Sequence, residues 1–532
     1  MASHPLQAIG EAVGAAGADP RPMQLSSLFQ GANDGPAKTA AKLTGVQAAG
    51  KRADDGPYFT NNEAIPFLDP AHIPKAAALQ SLEATRADGP PFGAFGYFET
   101  TKDVSSLTKA HFLRSVGVRT PVFARFSTVT LGREFPDEAR NPRGFAVKFY
   151  TGEGNYDIVG LNFPVFFCRD PIQGPDVIGS QYQNPQNFLL DHNSLFDLLA
   201  NTPEGNHAGM MFFSDHGTPV GWRNLHGYGC HTFKVNKRGE FVYIKYHFIA
   251  DRGQKQSTAD EAIQMCGEDP DFSKRDLYQA IEKGEKISWT AHVQIMKPEE
   301  ADPTKLGFDP FDVIKLHEFG KLVLNKNPEN FHRDVEQAAF SPGSMVPGIE
   351  DSPDPLLQFR MFFYRDAQHH RIGVNLHQIP VNCPFMASSY SSLNFDGPLR
   401  LDANHAMNPQ YAPNSFVHKF RPDTAEAPYQ LADNTVSRKS HFYHEGKLSE
   451  YDQPRALYQK VMDARGESIF IAILHACSRG VYDLLPEQKF DFSQVKAQAQ
   501  GAERVGKEAK FRPSKDTDIL AGKCPATPVY NQ

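Results

Sequence analysis

Between Phe92 and Met296 the chain keeps returning to one texture: short runs of apolar, β-branched and aromatic residues set between turn residues. The runs are Phe92–Thr100, Pro121–Thr130, Gly144–Thr151 and Tyr156–Arg169, then Met210–Ser214, His231–Val235, Phe241–Ile249 and Ile287–Met296. Runs of this length and spacing read as β-strands. About eight strands must hide their edge hydrogen-bonding groups, and an antiparallel barrel does so by closing on itself. A helical stretch around Asn184–Ala200 interrupts them. The expected fold class is α+β.

A chain of 532 residues exceeds one small domain. Residues 1–75, rich in Ala, Gly, Pro and Asp, read as an N-terminal arm with one short helix near Ser27–Gly31. Residues 76–300 hold the barrel. Residues 301–430 carry many Pro, Asn and Asp and read as an irregular wrapping segment, interrupted by one helix at Pro355–Tyr364. Residues 431–532 read as a C-terminal helical region, with spaced apolar residues over Arg455–Ala464 and Glu467–Cys477.

Composition excludes several partners. The 55 basic and 62 acidic residues leave a net charge of −7, so neither nucleic acid nor an anionic membrane is expected. No apolar stretch is long enough to span a bilayer. The first residues lack a basic segment followed by an apolar one, so no secretory signal is expected there. The 6 cysteines form no CxxC pair, and reduced thiols are expected.

The sharpest local feature is Arg360-Met-Phe-Phe-Tyr364. On a helix, residues four apart share a face. A guanidinium beside a phenol favours the phenolate, which is a strong anionic ligand for ferric iron. The surroundings extend this. Gly93-Ala-Phe-Gly-Tyr-Phe-Glu99, Arg125-Phe-Ser-Thr-Val129, Arg140–Tyr150, Gly154–Gly160, Pro164–Phe167 with Arg169-Asp170, His226–Phe233, Gly320–Asn325 and Arg360–Arg371 resemble, in order, the haem catalases. The resemblance covers residues from about 90 to 390. It implies a β-barrel, a wrapping loop, a C-terminal helical domain and a buried haem b. It also implies that Tyr364 is the iron ligand, a role known for catalase tyrosinates. Arg360 would be its charge partner, Arg125 and Arg371 the propionate-binding arginines, and Ser127, Gly144, Phe166, His231 and Phe340 the pocket residues.

The sequence departs from that family where peroxide chemistry is done. Catalases carry a distal histidine before the Gly-Ala-Phe-Gly strand. Aligned without a gap, its position holds Asp88, and no histidine lies between His72 and His111. A propionate-binding arginine is replaced by Thr85, with Arg86 one step away. The family's Gly-Asn-Asn-Thr-Pro reads Gly160-Leu-Asn-Phe-Pro164, which puts Leu161 at the catalytic asparagine and leaves Asn162 beside it, pointing to the other face of a strand. Loss of a general acid–base costs a factor of roughly 10²–10⁴ in rate. Asp88 is the substitute at hand.

The overall pattern resembles one catalase-like family in particular, the chanoclavine-I synthases of fungal ergot-alkaloid pathways. That resemblance implies oxidative, decarboxylating radical cyclisation of prechanoclavine, an indole-alkaloid substrate, using O2 or superoxide. The competing readings are a hydrogen-peroxide-disproportionating catalase with Asp88 as distal acid–base, and a non-enzymatic haem protein. Catalase resemblance also implies an exterior NADPH site. His207 and Ser214 match two of its positions, but His216, His226 and Ile249 stand where the family has arginine, asparagine and lysine. The resemblance and the long arm imply a homodimer or homotetramer. The compartment expected is peroxisome or cytoplasm, although Pro528–Gln532 is not an SKL-type ending.

Overall fold

The computed structural model describes residues 91–400, short internal stretches aside, and 452–457. The expected arm, the helix near Ser27–Gly31, Asp88 and nearly all of the expected C-terminal helical region lie outside the described residues.

Among the described residues, ten strands form one sheet: β1 Phe92–Thr100, β2 Arg119–Thr128, β3 Arg143–Thr151, β4 Gly154–Leu161, β5 Gly227–Tyr228, β6 Phe233–Lys237, β7 Glu240–Ala250, β8 Ile287–Met296, β9 Leu316–Lys326 and β10 Ile349–Glu350. Their order is β10-β6-β7-β5-β4-β3-β2-β1-β9-β8, and a further β7–β8 pairing closes an antiparallel barrel, with β6 and β10 appended to β7. The helices are α1 Gly174–Gly179, α2 His192–Asn201, α3 Asn206–Phe213, α4 Ala259–Glu268, α5 Phe272–Glu282, α6 Pro355–Arg371 and α7 Asp452–Leu457.

The period of two decides which residues face inward. Ala94, Phe98, Val122, Ala124, Phe126, Phe145, Val147, Phe149, Tyr156 and Ile158 belong to one core cluster with Trp289 and Phe248, which fills the bore. Rings interlock there: Phe98 meets Phe149 at 5.4 Å, and Trp289 meets Phe126 at 5.8 Å and Phe145 at 5.6 Å. Backbone approach is tight where β1 meets β9. A Cβ on Gly96 would lie 1.8 Å from the Val323 carbonyl oxygen, so only glycine fits. A second cluster outside the barrel packs Phe163, Val165 and Phe167 against Leu195, Phe196 and Leu199 of α2, Met210 and Phe213 of α3, and Leu356 and Phe359 of α6.

Four expectations are corrected. Met210–Ser214 is not a strand but the end of α3. A short run buried on all sides has no period to tell helix from strand. The Tyr156–Arg169 run pairs only as far as Leu161, and Pro164 lies just beyond. β9 lies inside the segment expected to be irregular, because its first residues, Leu316, His317 and Glu318, are exposed and hide the alternation. Finally, α6 runs on past Tyr364 to Arg371.

Candidate active site

The strand register assembles the site on the outer face of β1–β4. Ser127 of β2 pairs with Gly144 of β3, which pairs with Leu161 of β4. One step along, Gly93, Arg125, Ala146 and Val159 form a second row. A third row is Phe95, Phe123, Lys148 and Asp157. The panel is flat where its residues are small. A Cβ on Gly144 would lie 2.7 Å from Ser127 Oγ, so the glycine keeps that surface open. Thus Arg125, Ser127, Gly144 and Leu161, distant in sequence, share one surface.

Helix α6 brings Arg360 and Tyr364 toward this panel. Its start is well specified: Pro355 opens it, and the Asp354 carboxylate caps the N–H groups of Leu356 at 2.9 Å and Leu357 at 3.2 Å. Arg360 Nη2 donates to the Tyr364 phenol oxygen at 2.7 Å. Arg360 Nη1 donates to His231 Nε2 and, at 3.4 Å, to the carbonyl of Val159. His231 Nδ1 lies 3.1 Å from Asp354 Oδ2. These contacts fix the tautomer. A guanidinium can only donate, so Nε2 accepts and Nδ1 carries the proton that goes to Asp354. Burial holds the His231 imidazole below its usual range, against the pull of Asp354. Burial pushes the Asp354 carboxyl up, but His231 and the N–H groups of Leu357 and Thr232 outweigh it and hold it low. The result is an ordered chain, Asp354–His231–Arg360–Tyr364, that presents a phenol oxygen backed by a fixed cation. Phe166 lines the same side, with its ring centroid 4.9 Å from the Arg360 guanidinium carbon.

The other end of α6 holds the segment that carries Phe340. Arg371 Nη1 donates to the Glu336 carbonyl at 2.6 Å and Nη2 to that of Ala338 at 2.7 Å. Asn382 accepts from the Ala339 N–H at 2.7 Å and donates to the Gln337 carbonyl at 2.9 Å. Phe340 packs with Phe123 and Val335 in an apolar cluster flanked by Ala146 and Val159.

These residues fit a haem. The donor set is a phenol oxygen under a guanidinium, the panel behind it is flat and largely apolar, and Arg125 supplies a buried cation beside it. Tyr364 would ligate the iron, with Arg125 and Arg371 as the cations closest in kind to what two carboxylate arms require.

Leu161, which the resemblance puts at the catalytic asparagine, is 7% exposed and shares its row with Ser127 and Gly144. Asn162 does not join that face. Its Oδ1 accepts from the Arg143 N–H at 2.7 Å, and its Nδ2 donates to the His216 carbonyl at 2.9 Å, so its amide is already engaged at both ends. The exterior residues are likewise used internally. Ser214 Oγ donates to the Met211 carbonyl at 2.8 Å and lies 3.1 Å from His216 Nδ1. His207 is buried in α3. His226 Nδ1 accepts from the Ala250 N–H at 3.1 Å, and burial takes its pKa down to about 4, so this imidazole is neutral. His216, His226 and Ile249 thus put no lysine or arginine at the positions where the family binds a 2′-phosphate.

One site residue escaped the sequence reading. Asp354, which anchors the relay, has a local signal in Ser352-Pro-Asp-Pro355, a helix-start pattern, but only the folded chain brings it to His231.

Comparison with known proteins agrees with this architecture. Residues 86–418 match the family model described as catalase. The chain is 46% identical to a catalase from Methanosarcina barkeri over 379 residues, covering 70% of this chain and 74% of that one. It is 44% identical to catalase-A of Dictyostelium discoideum over 400 residues, covering 73% of this chain and 79% of that one. Among solved structures, a fungal catalase superposes with a TM-score of 0.72 at 36% identity, covering 83% of this chain and 90% of that one. Catalase A from Saccharomyces cerevisiae gives 0.70 at 35% identity, covering 83% and 93%. With the barrel, the relay and the matched span in agreement, the chain belongs to the catalase family.

Proposed function

We propose that this protein is a haem b oxidoreductase that consumes hydrogen peroxide, disproportionating it to water and dioxygen. The observation that carries this reading is the Asp354–His231–Arg360–Tyr364 relay, held on a barrel whose relatives at 43–48% identity are named catalase. A bound haem supplies two-electron redox chemistry at iron. The chain's own residues do the rest. Arg360 donates to the Tyr364 oxygen, which favours the phenolate, and Asp354 fixes the His231 proton so that Arg360 has an acceptor on each side. Arg125 and Arg371 offer cations to the propionates. Ser127, Gly144, Phe166 and Phe340 shape the walls.

The distal proton carrier in this reading is Asp88, the residue aligned with the family's histidine. A carboxyl can shuttle a proton near neutrality only if its surroundings raise its pKa, as an apolar setting does. Oxygen release from hydrogen peroxide tests the proposal. Haem-loaded protein should evolve oxygen, and Asp88→Ala should lower the rate by roughly 10²–10⁴. No oxygen release from haem-replete protein would rule the reading out.

Leu161 also favours a second reading. An apolar side chain where catalases place an amide suits an organic substrate, as in the oxidative cyclisation of prechanoclavine to chanoclavine-I with O2 or superoxide. Aerobic conversion of prechanoclavine, suppressed by superoxide dismutase, would support it, and equal anaerobic turnover would exclude it. Neither reading needs NADPH. A homodimer or homotetramer and a peroxisomal or cytoplasmic location complete the proposal. Relatives from Toxoplasma gondii and Pichia angusta are named peroxisomal catalases.

A further inference from the structure

The third row of the outer panel ends in a buried ion pair. Lys148 of β3 and Asp157 of β4 are direct cross-strand partners, 2% and 1% exposed. Lys148 Nζ bonds both carboxylate oxygens, at 2.7 Å and 2.9 Å. Replacing a buried pair by packed apolar residues is often neutral or stabilising, so such a pair calls for a role other than stability.

Its contacts supply one. Lys148 Nζ lies 4.9 Å from the centroid of the Phe340 ring. Phe123, the cross-strand partner of Lys148 on its other side, stacks on the same ring at 6.2 Å and 18°. Asp157 Oδ2 accepts the N–H of Ser341, next to Phe340, at 3.0 Å, and the Asp157 N–H donates to the Ser344 carbonyl at 3.0 Å. The far side of that turn is tied to α6: Arg365, the residue after Tyr364, reaches Ser344 Oγ at 3.2 Å. Phe340 is therefore set by its backbone neighbours through Asp157 and by its ring through Lys148. Without its carboxylate the ammonium would lose its fixed position over the ring.

We propose that Lys148 and Asp157 are positioning residues for Phe340, orienting that ring as a wall of the haem pocket. The proposal rests on the haem reading above. A desolvated ammonium over an aromatic face gives the contact its direction, which an apolar pair could not.

Haem release from the full-length haem-loaded chain to excess apomyoglobin reads this out. The Lys148→Met and Asp157→Asn double variant keeps the shape and an acceptor for Ser341, and should release haem about tenfold faster. Phe340→Leu should release it faster by a similar factor. The combined triple variant should release it no faster than Phe340→Leu alone, and Lys148→Arg should remain near wild type. Multiplied effects in the triple variant, or unchanged release in the double variant, overturn the proposal. If the double variant does not fold, stepwise fluorination of Phe340 in the otherwise wild-type chain replaces it. That weakens the ring's attraction for a cation while keeping its shape, so release should quicken with each fluorine, and a flat series overturns the proposal. A wild-type chain that takes up no hemin in titration would remove the haem reading itself, an outcome distinct from haem that binds but ignores Lys148.

Discussion

Leu161 and Asn162 are neighbours in sequence but serve opposite sides of the β4 wall. Leu161 shares a row with Gly144 and Ser127, while Asn162 bonds the Arg143 N–H and the His216 carbonyl. Leu161→Asn should therefore add a polar group to the panel, whereas Asn162→Ala should strip the buried Arg143 N–H and the part-buried His216 carbonyl of their partner. The first is expected to raise the initial rate of oxygen release, at a cost in stability for placing an amide where a buried leucine stood. The second should cost roughly 1–3 kcal/mol, chiefly for the orphaned Arg143 N–H. Urea titration and an oxygen electrode on both variants separate the two effects.

Tyr364→Phe removes the phenol oxygen that accepts from Arg360 at 2.7 Å. The variant should lose the tyrosinate charge-transfer band and retain little haem through gel filtration. A normal ferric tyrosinate spectrum in Tyr364→Phe would overturn the ligand assignment.

Asp354→Asn tests the relay from its far end. The amide can present an N–H to His231 Nδ1, which would move the imidazole proton to Nε2 and set two donors, His231 and Arg360, against each other. The expected outcome is a shifted iron reduction potential with the barrel intact by circular dichroism. The cap on α6 should survive in part, because asparagine also caps helices well.

A pH dependence of stability is expected from a group that faces Arg143, at the start of β3. Glu138 is 1% exposed, accepts from the Gly221 N–H at 3.0 Å and from Ser273 Oγ, and faces Arg143 and Asp137. Burial raises its pKa from 4.5 to about 7. The folded state therefore holds a proton that the unfolded state has released between these values. Its contribution is complete below pH 4.5 and is lost as pH rises through about 7, with a span on the order of 3 kcal/mol. Glu138→Gln, which cannot titrate, should flatten that slope in denaturant titrations between pH 5 and 7.

The exterior histidines predict weak dinucleotide binding. Because His226 is neutral and bonded to Ala250, NADPH should show no preference over NADH in equilibrium dialysis. Tight binding selective for the 2′-phosphate would require another set of cations.

The barrel was legible in the sequence wherever its strands alternate, as in Ile287–Met296. It was hidden where β9 begins with exposed residues and where α3 is buried all round. For the site, Arg360 and Tyr364 could be paired from helical spacing alone. Asp354 could not be joined to His231, because the two are 123 residues apart and no local pattern links them. The resemblance supplied Leu161 and Asn162 as candidates, and strand alternation told which of them faces the panel.

The edge-to-face rings of Phe98, Phe149, Phe145 and Trp289 make the cylinder a plug. No reactant can travel along its axis through such packing. Whatever comes to Tyr364 must arrive from outside, between the wall and the segments laid over it. Selection among small oxidants and bulkier organic guests thus falls to the covering chain, and swapping those coverings would retune the catalyst while leaving the cylinder untouched.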